Sequence, residues 1–156
     1  MLHSAIPECV VLLDTNVLLA AIMAPDRLPT ETQDLLRNPA NSIYFSAANI
    51  WEVAIKQSLQ RDDFDFQSED VEKLALETGF TELPLRSAHC HAVNQMPWHH
   101  RDPFDRLLVA QARSLPARLL TTDGQLAPYS ELVWTISLRQ QLDRQDAGSA
   151  RSFSGP

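Results

Sequence analysis

The sequence has few of the residues that mark a disulfide-rich, membrane-embedded or fibrous protein. It contains 2 cysteines and 4 glycines in 156 residues, and Cys9 and Cys90 lie far apart. Two distant thiols suit a reducing compartment better than a disulfide framework. No segment approaches the roughly 18 unbroken apolar residues of a membrane span, and the first residues lack the basic and apolar regions of a signal peptide. We therefore expect a cytoplasmic protein without a membrane segment.

Positive charge is also scarce. The chain has 13 lysines and arginines against 20 aspartates and glutamates, for a net charge of −7, so its overall charge does not indicate nucleic-acid binding. This evidence weakens if the carboxylates share one site with a cation, because arginines elsewhere could then face phosphates. With 44% hydrophobic residues, we expect one globular domain over residues 1–140. Residues 141–156 lack periodicity and are predicted to form a flexible tail.

Short apolar runs alternate with helical patterns along the chain. CVVLLD (residues 9–14) and ARLLTTD (residues 117–123) are typical of strands buried on both faces of a parallel sheet. NVLLAAIMA, AANIWEVAIKQSLQ and PFDRLLVAQARSL predict helices, the first capped by Thr15 and the second by Ser46. FTELPL predicts an edge strand, since Pro84 would be awkward in a sheet centre. The alternation predicts an α/β sandwich with a mostly parallel sheet.

Both of the buried strands end in an aspartate, Asp14 and Asp123. Each could simply cap the helix that follows it. However, ligands of doubly wound sheets bind outside the carboxyl ends of the strands. Two strand-end carboxylates from separate strands therefore indicate a shared crevice.

Glu52 interrupts an apolar stripe on its predicted helix. A helical wheel places four apolar residues on the same side as this glutamate: Ala48, Trp51, Ile55 and Leu59. A carboxylate on a buried face needs a partner or a metal. The alternative is a surface pair with Lys56 at i+4, which is worth only a few tenths of a kcal/mol.

HRDPFDRLL (residues 100–108) carries two aspartates at the start of a helix. If Asp102 is the N-cap, Pro103 occupies the first helical position, where its missing N–H costs nothing. The cap explains Asp102 fully. Asp105 could be a first-turn acid favoured by the helix dipole, yet it shares the predicted buried face with Leu108 and Ala112, so we expect it to point toward the strand ends.

The four acids Asp14, Glu52, Asp105 and Asp123 would repel one another in a dry cleft unless a cation neutralised them. A ligand set made only of carboxylate oxygens suits Mg²⁺ or Mn²⁺. Such a site activates water and stabilises charge at a phosphoryl centre.

Four segments, VVLLDTNVLL, SAANIWEVAIK, HRDPFDRLLVAQA and LLTTD, resemble in order and spacing the four motifs of PIN-domain ribonucleases. They are most similar to the VapC-type toxins of bacterial type II toxin–antitoxin systems, and the resemblance covers about residues 10–136. It implies a three-layer α/β/α sandwich with a central parallel sheet and an Mg²⁺- or Mn²⁺-dependent endoribonuclease site. It also implies a homodimer and a small antitoxin as protein partner.

Carried over residue by residue, the resemblance assigns catalysis and metal binding to Asp14, Glu52, Asp105 and Asp123. Asn16 and Thr121 match polar positions that orient the acids. The Asp102 position recurs in family members with an HRDPFDRLL-type motif, where the resemblance implies that it supports the metal ligands from outside the ligand set. Four basic residues are candidates for contact with RNA phosphates, against the alternative that they only solvate helix surfaces: Lys56, Arg101, Arg106 and Arg113.

Other readings of the sequence fit less well. The five histidines, which include His89, His91, His99 and His100, do not form a tetrahedral zinc signature. A phosphatase of the haloacid dehalogenase type needs an aspartate where this chain has Asn16, and a receiver domain needs a late-strand lysine that the chain lacks. A PIN-fold RNA-processing nuclease without a toxin role stays open, and so does a non-catalytic PIN-like binding module.

Overall fold

The computed structural model describes residues 9–59, 67–97 and 102–140. The described strands are β1 (Val10–Leu13), β2 (Ser42–Ser46), β3 (Thr81–Leu83), β4 (Arg118–Thr121) and β5 (Val133–Thr135). The described α-helices are α1 (Thr15–Met23), α2 (Thr30–Arg37), α3 (Ala47–Ser58), α4 (Ser68–Thr78), α5 (Ser87–Val93) and α6 (Pro103–Ser114), and 3₁₀ turns cover Pro25–Arg27 and Gly124–Tyr129. The predicted tail, Arg101, His99 and His100 lie outside the described residues.

The sheet has the strand order β3-β2-β1-β4-β5, and every neighbouring pair is parallel. The predicted parallel sheet and the edge position of the strand before Pro84 are therefore confirmed. β1 and β4 lie side by side at the centre, with Leu13 paired to Leu120. The N–H of Asp14 donates to the carbonyl of Leu120 at 2.9 Å. The carboxyl ends of the two central strands therefore lie side by side at the same edge of the sheet.

Helices cover both faces of this sheet, which gives the predicted three layers. Alternate residues of β1 enter opposite cores, as strand geometry requires. Val11 and Leu13 pack in the core with Phe45 and residues of α1 and α4, whereas Leu12 packs in the other core with Leu119 and the buried face of α6. Because both faces are buried, the central strands consist of unbroken apolar runs.

The helix starts show how the chain leaves the strands. Ser46 caps α3 as predicted, since its hydroxyl accepts a hydrogen bond from the N–H of Ala48 at 2.9 Å. The prediction that Thr15 caps α1 is wrong, because Asp14 is the N-cap and Thr15 is the first helical residue. This one-residue shift frees the Thr15 hydroxyl for another contact. Among the described residues, no helix is both long and apolar enough to cross a membrane.

Candidate functional site

An acidic cleft of about 210 Å³ lies at the carboxyl ends of β1 and β4. Nine residues line it: Asp14, Thr15, Asn16, Glu52, Lys56, Asp102, Asp105, Thr122 and Asp123. The fold therefore brings together the four acids named from the sequence, and adds Asp102 to them. A larger cavity of about 390 Å³ lies between α1, α2 and α4, but its lining contains no acid. The concentration of carboxylates, rather than cavity size, identifies the candidate site.

Asp14 is held in place by two hydrogen bonds at the end of β1. The Thr121 hydroxyl donates to its Oδ2 at 2.5 Å, and the N–H of Thr15 donates to its Oδ1 at 2.6 Å. Only 7% of Asp14 is exposed. Burial raises the pKa of Asp14 above 3.8, the two hydrogen bonds oppose this rise, and the charges of Glu52 and Asp123 add to it. The charged form of Asp14 is therefore disfavoured mainly because the side chain is buried.

Glu52 contacts both the cleft wall and its helix neighbour. Its Oε1 accepts a hydrogen bond from the Thr15 hydroxyl at 2.6 Å, and its Oε2 lies 3.1 Å from the Nζ of Lys56. The cleft position and the i+4 pair, which were alternatives in the sequence, are both present. Lys56 lies on the cleft wall as a result.

The apolar stripe expected around Glu52 is partly wrong. Trp51 is 53% exposed and Leu59 is 61% exposed. The residues that α3 buries are Ala48, Asn49 and Val53. The centre of this buried face is turned about 40° from Glu52, toward Val53, at 100° per residue. Glu52 therefore lies at the border between core and solvent, where a carboxylate can face a cleft.

Sequence reasoning missed a chain of buried polar groups behind Glu52, which we call the polar relay: Thr15, Asn49, Ser46 and Gln111. The Asn49 Nδ2 donates to the Thr15 hydroxyl at 3.0 Å, and its Oδ1 accepts from the N–H of Ser46 at 2.6 Å. The Ser46 hydroxyl donates to Gln111 on α6 at 2.5 Å, and Gln111 donates to the carbonyl of Pro84 at 3.3 Å. A signal was present, since Asn49 stands at the third helical position after a serine cap and Gln111 interrupts an apolar helix.

The two aspartates of HRDPFDRLL both reach the cleft. Asp102 is the N-cap of α6 as predicted, and its Oδ1 accepts from the N–H of Phe104 at 2.9 Å. Asp105, in the first turn, is half-buried and lines the cleft. The positive end of the helix dipole favours a carboxylate at this position.

On the opposite wall, Asp123 caps the 3₁₀ turn Gly124–Tyr129 and accepts from the N–H of Gln125 at 2.9 Å. Its own N–H donates to the Thr121 hydroxyl at 3.0 Å, so Thr121 links it to Asp14. Asn16 is exposed and makes a long hydrogen bond of 3.5 Å to Thr122, the neighbour of Asp123.

Two of the residues predicted to contact RNA phosphates, Arg106 and Arg113, do not line the cleft. Arg106 is only 3% exposed, and its guanidinium donates to the carbonyls of Val93 and Met96 at 3.0 and 3.2 Å. It joins α6 to the end of α5 and cannot face a phosphate in the cleft. Arg113 is exposed but lies near the far end of α6, where it lines a separate cavity.

The donor chemistry of the cleft fits a hard divalent cation. Five carboxylates line it, and such oxygen ligands suit Mg²⁺ or Mn²⁺. Among the described residues, no histidine or cysteine lines the cleft, and the Nδ1 of the buried His89 accepts from the N–H of Arg86 at 3.0 Å elsewhere. Within the described parts of the chain, no three such acidic, histidine or cysteine side chains stand close enough to form a preassembled metal cluster. The acids therefore line one cleft but are not close enough together, as placed, to coordinate a single ion.

Comparisons with known proteins agree with this architecture. A family model described as PIN domain matches residues 11–132. A chain in the crystal structure of VapBC2 from Rickettsia felis bound to a DNA fragment from their promoter has a TM-score of 0.63 to this chain. That match is 17% identical and covers 82% of this chain and 99% of that chain, so it supports the fold alone. A comparison with curated proteins found no match.

Proposed function

The chain belongs to the PIN domain family, and from this premise we propose that it is a divalent-cation-dependent endoribonuclease and the toxin of a toxin–antitoxin pair. The observation that carries the proposal is the meeting of Asp14, Glu52, Asp105 and Asp123 in one cleft at the strand ends. The raised pKa of Asp14 supports it further: burial is the main cause, the charges of Glu52 and Asp123 add to it, and such shifts are common at functional sites.

In this proposal the four acids hold Mg²⁺ or Mn²⁺. When bound, such a cation supplies activation of a water molecule and neutralises charge on the phosphodiester. The protein contributes the position of the acids. Thr121 fixes Asp14 and contacts Asp123 through its N–H, and Thr15 fixes Asp14 and Glu52. Carboxylates that are already oriented need little rearrangement during the reaction.

The toxin role rests on the resemblance of the motifs to VapC-type toxins and on the likeness of the fold to a VapBC2 chain. An acidic cleft can accept an arginine or lysine from an inhibitory segment, since charge-assisted hydrogen bonds to carboxylates are strong. From the resemblance, the proposed partner is a small antitoxin protein. A homodimer in the cytoplasm belongs to the same proposal.

The nuclease is tested by incubating purified protein with RNA in Mg²⁺ or Mn²⁺. We expect Asp14→Asn and Asp105→Asn to abolish cleavage while circular dichroism and the melting temperature show a folded protein. Asp34→Asn is the matched control, because Asp34 is an exposed acid on α2 outside the cleft. Full activity in both cleft variants would refute the proposal.

The toxin role is tested separately by expression in bacteria. We expect growth arrest with the wild-type chain, none with Asp14→Asn, and relief by co-expression of the small protein encoded beside it. Harmless expression of a chain that cleaves RNA in vitro would instead indicate an RNA-processing nuclease.

A further inference from the structure

Two aromatic side chains contact each other between the two helices that carry three of the cleft acids, and we call them the aromatic ledge: Trp51 on α3 and Phe104 on α6. Their ring centroids are 4.7 Å apart and their planes meet at 58°. Trp51 directly precedes Glu52, and Phe104 lies between Asp102 and Asp105. Because those three acids line the cleft, the ledge joins the two helices that form its wall.

The exposure of Trp51 is not explained by the packing of the core. A tryptophan stabilises a fold mainly by burying its large apolar surface, yet this side chain is 53% exposed. Single exposed apolar residues are common on protein surfaces and need no explanation by themselves. This one differs because its ring contacts a second aromatic ring beside a cluster of carboxylates.

The described lining of the cleft offers little positive charge to attract the phosphates of RNA. Among the residues that the structure describes, five carboxylates line the cleft with a single lysine, Lys56, which pairs with Glu52. Arg106, which was expected to contact a phosphate, instead donates to the carbonyl of Val93. Arg113, the second such candidate, lies near the far end of α6 and lines a separate cavity. Contacts with phosphates supply most of the affinity of ordinary nucleic-acid binding. A contact with an RNA base would therefore add affinity to what the proposed cation and the described basic residues provide.

Stacking on an aromatic ring supplies such affinity without positive charge. Proteins that bind single-stranded nucleic acid stack bases on exposed aromatic side chains, and the contact tolerates different sequences because every base has a flat face. We propose that the aromatic ledge binds an unpaired nucleobase of single-stranded RNA, next to the phosphate that enters the acidic cleft. This inference rests on the proposed nuclease function and assigns Trp51 and Phe104 a role in binding its substrate.

The first test measures binding without cleavage, by fluorescence anisotropy of a labelled single-stranded RNA in chelator. We expect Trp51→Ala to weaken binding by about 5- to 140-fold, the equivalent of 1–3 kcal/mol per stacked base. Trp51→Phe keeps a flat ring and is expected to lose much less. Trp134→Ala is the matched control, since Trp134 is 37% exposed on β5, the Arg118 guanidinium lies over its ring, and neither of its sequence neighbours lines the cleft.

Three further measurements separate stacking from other roles of Trp51. Tryptophan fluorescence is expected to fall when RNA is added to the wild type, and this quenching is expected to be largely lost in Trp51→Phe. The apparent affinity is expected to change little with salt, because few phosphates are neutralised. A duplex of the same sequence is expected to bind with no dependence on Trp51, because its bases are already stacked.

The outcomes distinguish the ledge from the nuclease. Binding that depends on Trp51 in a protein that never cleaves RNA would uphold the ledge and refute the proposed function. Cleavage and binding that are unchanged in Trp51→Ala would refute the ledge and leave the nuclease standing. The ledge is also refuted if the wild type binds no single-stranded RNA, or if Trp51→Ala changes the sedimentation coefficient from dimer to monomer. The last result would make the rings a contact between two copies of the chain.

Discussion

At the scale of single residues, Asp14 combines three tasks in one side chain. It follows the central strand, it is the N-cap of α1, and it lines the acidic cleft. A capping role alone would have favoured an exposed position, where the charge is solvated at little cost. Instead this carboxylate is buried with a raised pKa, which is common at functional sites.

The raised pKa of Asp14 has a consequence for stability. When the pKa of an acid is higher in the folded state than in the unfolded state, the free energy of unfolding falls as the pH rises from the unfolded-state pKa to the folded-state pKa. Without a bound cation, the charged form is therefore destabilising at pH 7. We expect Asp14→Asn to raise the free energy of unfolding at pH 7 in chelator, as measured by urea denaturation. The advantage is expected to shrink as pH falls toward 3.8, the ordinary pKa.

A variant that is less stable than the wild type at pH 7 would contradict this expectation. It would mean that the hydrogen bonds from Thr121 and Thr15 to the carboxylate outweigh the cost of burying its charge. Asp34→Asn again serves as the control, because its solvent-exposed side chain is expected to change stability by less than about 0.5 kcal/mol.

Thr15 is a second residue whose role can be isolated. It is 2% exposed, and its hydroxyl donates to Glu52 while accepting from Asn49. Thr15→Val keeps the shape but removes one hydrogen bond from each of the two partners, and an unsatisfied buried polar group costs about 1–3 kcal/mol. We expect lower stability by thermal denaturation together with a loss of RNA cleavage. Thr15→Ser retains the hydroxyl and is expected to recover most of both; equal losses in the two variants would argue against the hydroxyl.

At the scale of secondary structure elements, the residues at the start of α6 have separate roles. Asp102 caps the helix through the N–H of Phe104, Pro103 occupies the first helical position, and Asp105 projects into the cleft one turn later. A fixed helix start therefore sets the direction of Asp105. Arg106, the next residue, anchors the same turn to the carbonyls of Val93 and Met96.

Serine and alanine at position 102 separate capping from metal binding. Asp102→Ala removes the cap and is expected to cost about 1 kcal/mol in the free energy of unfolding, whereas Asp102→Ser restores a good cap. If Asp102 acts mainly by starting the helix, the serine variant retains most of the rate of RNA cleavage. Loss of cleavage in a serine variant of normal stability would instead assign the Asp102 carboxylate to the metal site.

The sequence predicted the elements better than the contacts between them. Apolar runs that end in Asp14 and Asp123 identified the two central strands, and Pro84 identified the edge. The exposed position of Trp51 was missed because a helical wheel gives the spacing of side chains, not the direction of the core. The polar relay and the burial of Arg106 depend on residues far apart in sequence, such as Ser46 with Gln111, and these pairs form only once the helices pack.

At the scale of the whole molecule, five of the 20 acidic residues meet at one edge of the sheet. The chain has a net charge of −7, and five carboxylates share a cleft of about 210 Å³. The fold is like that of a VapBC2 chain at 17% identity, as expected when a core is specified by its apolar pattern more than by particular residues. The cleft, rather than the core, is therefore where function has to be tested.

The central claim is that this cleft cleaves RNA only with a divalent cation. The most direct measurement is the rate of RNA cleavage by protein stripped with chelator, followed as Mn²⁺ or Mg²⁺ is titrated back. We expect no cleavage in chelator, a rate that rises to saturation with added cation, and no recovery in Asp14→Asn. Undiminished cleavage in chelator, or a metal-dependent rate that is equal in wild type and Asp14→Asn, would contradict the claim.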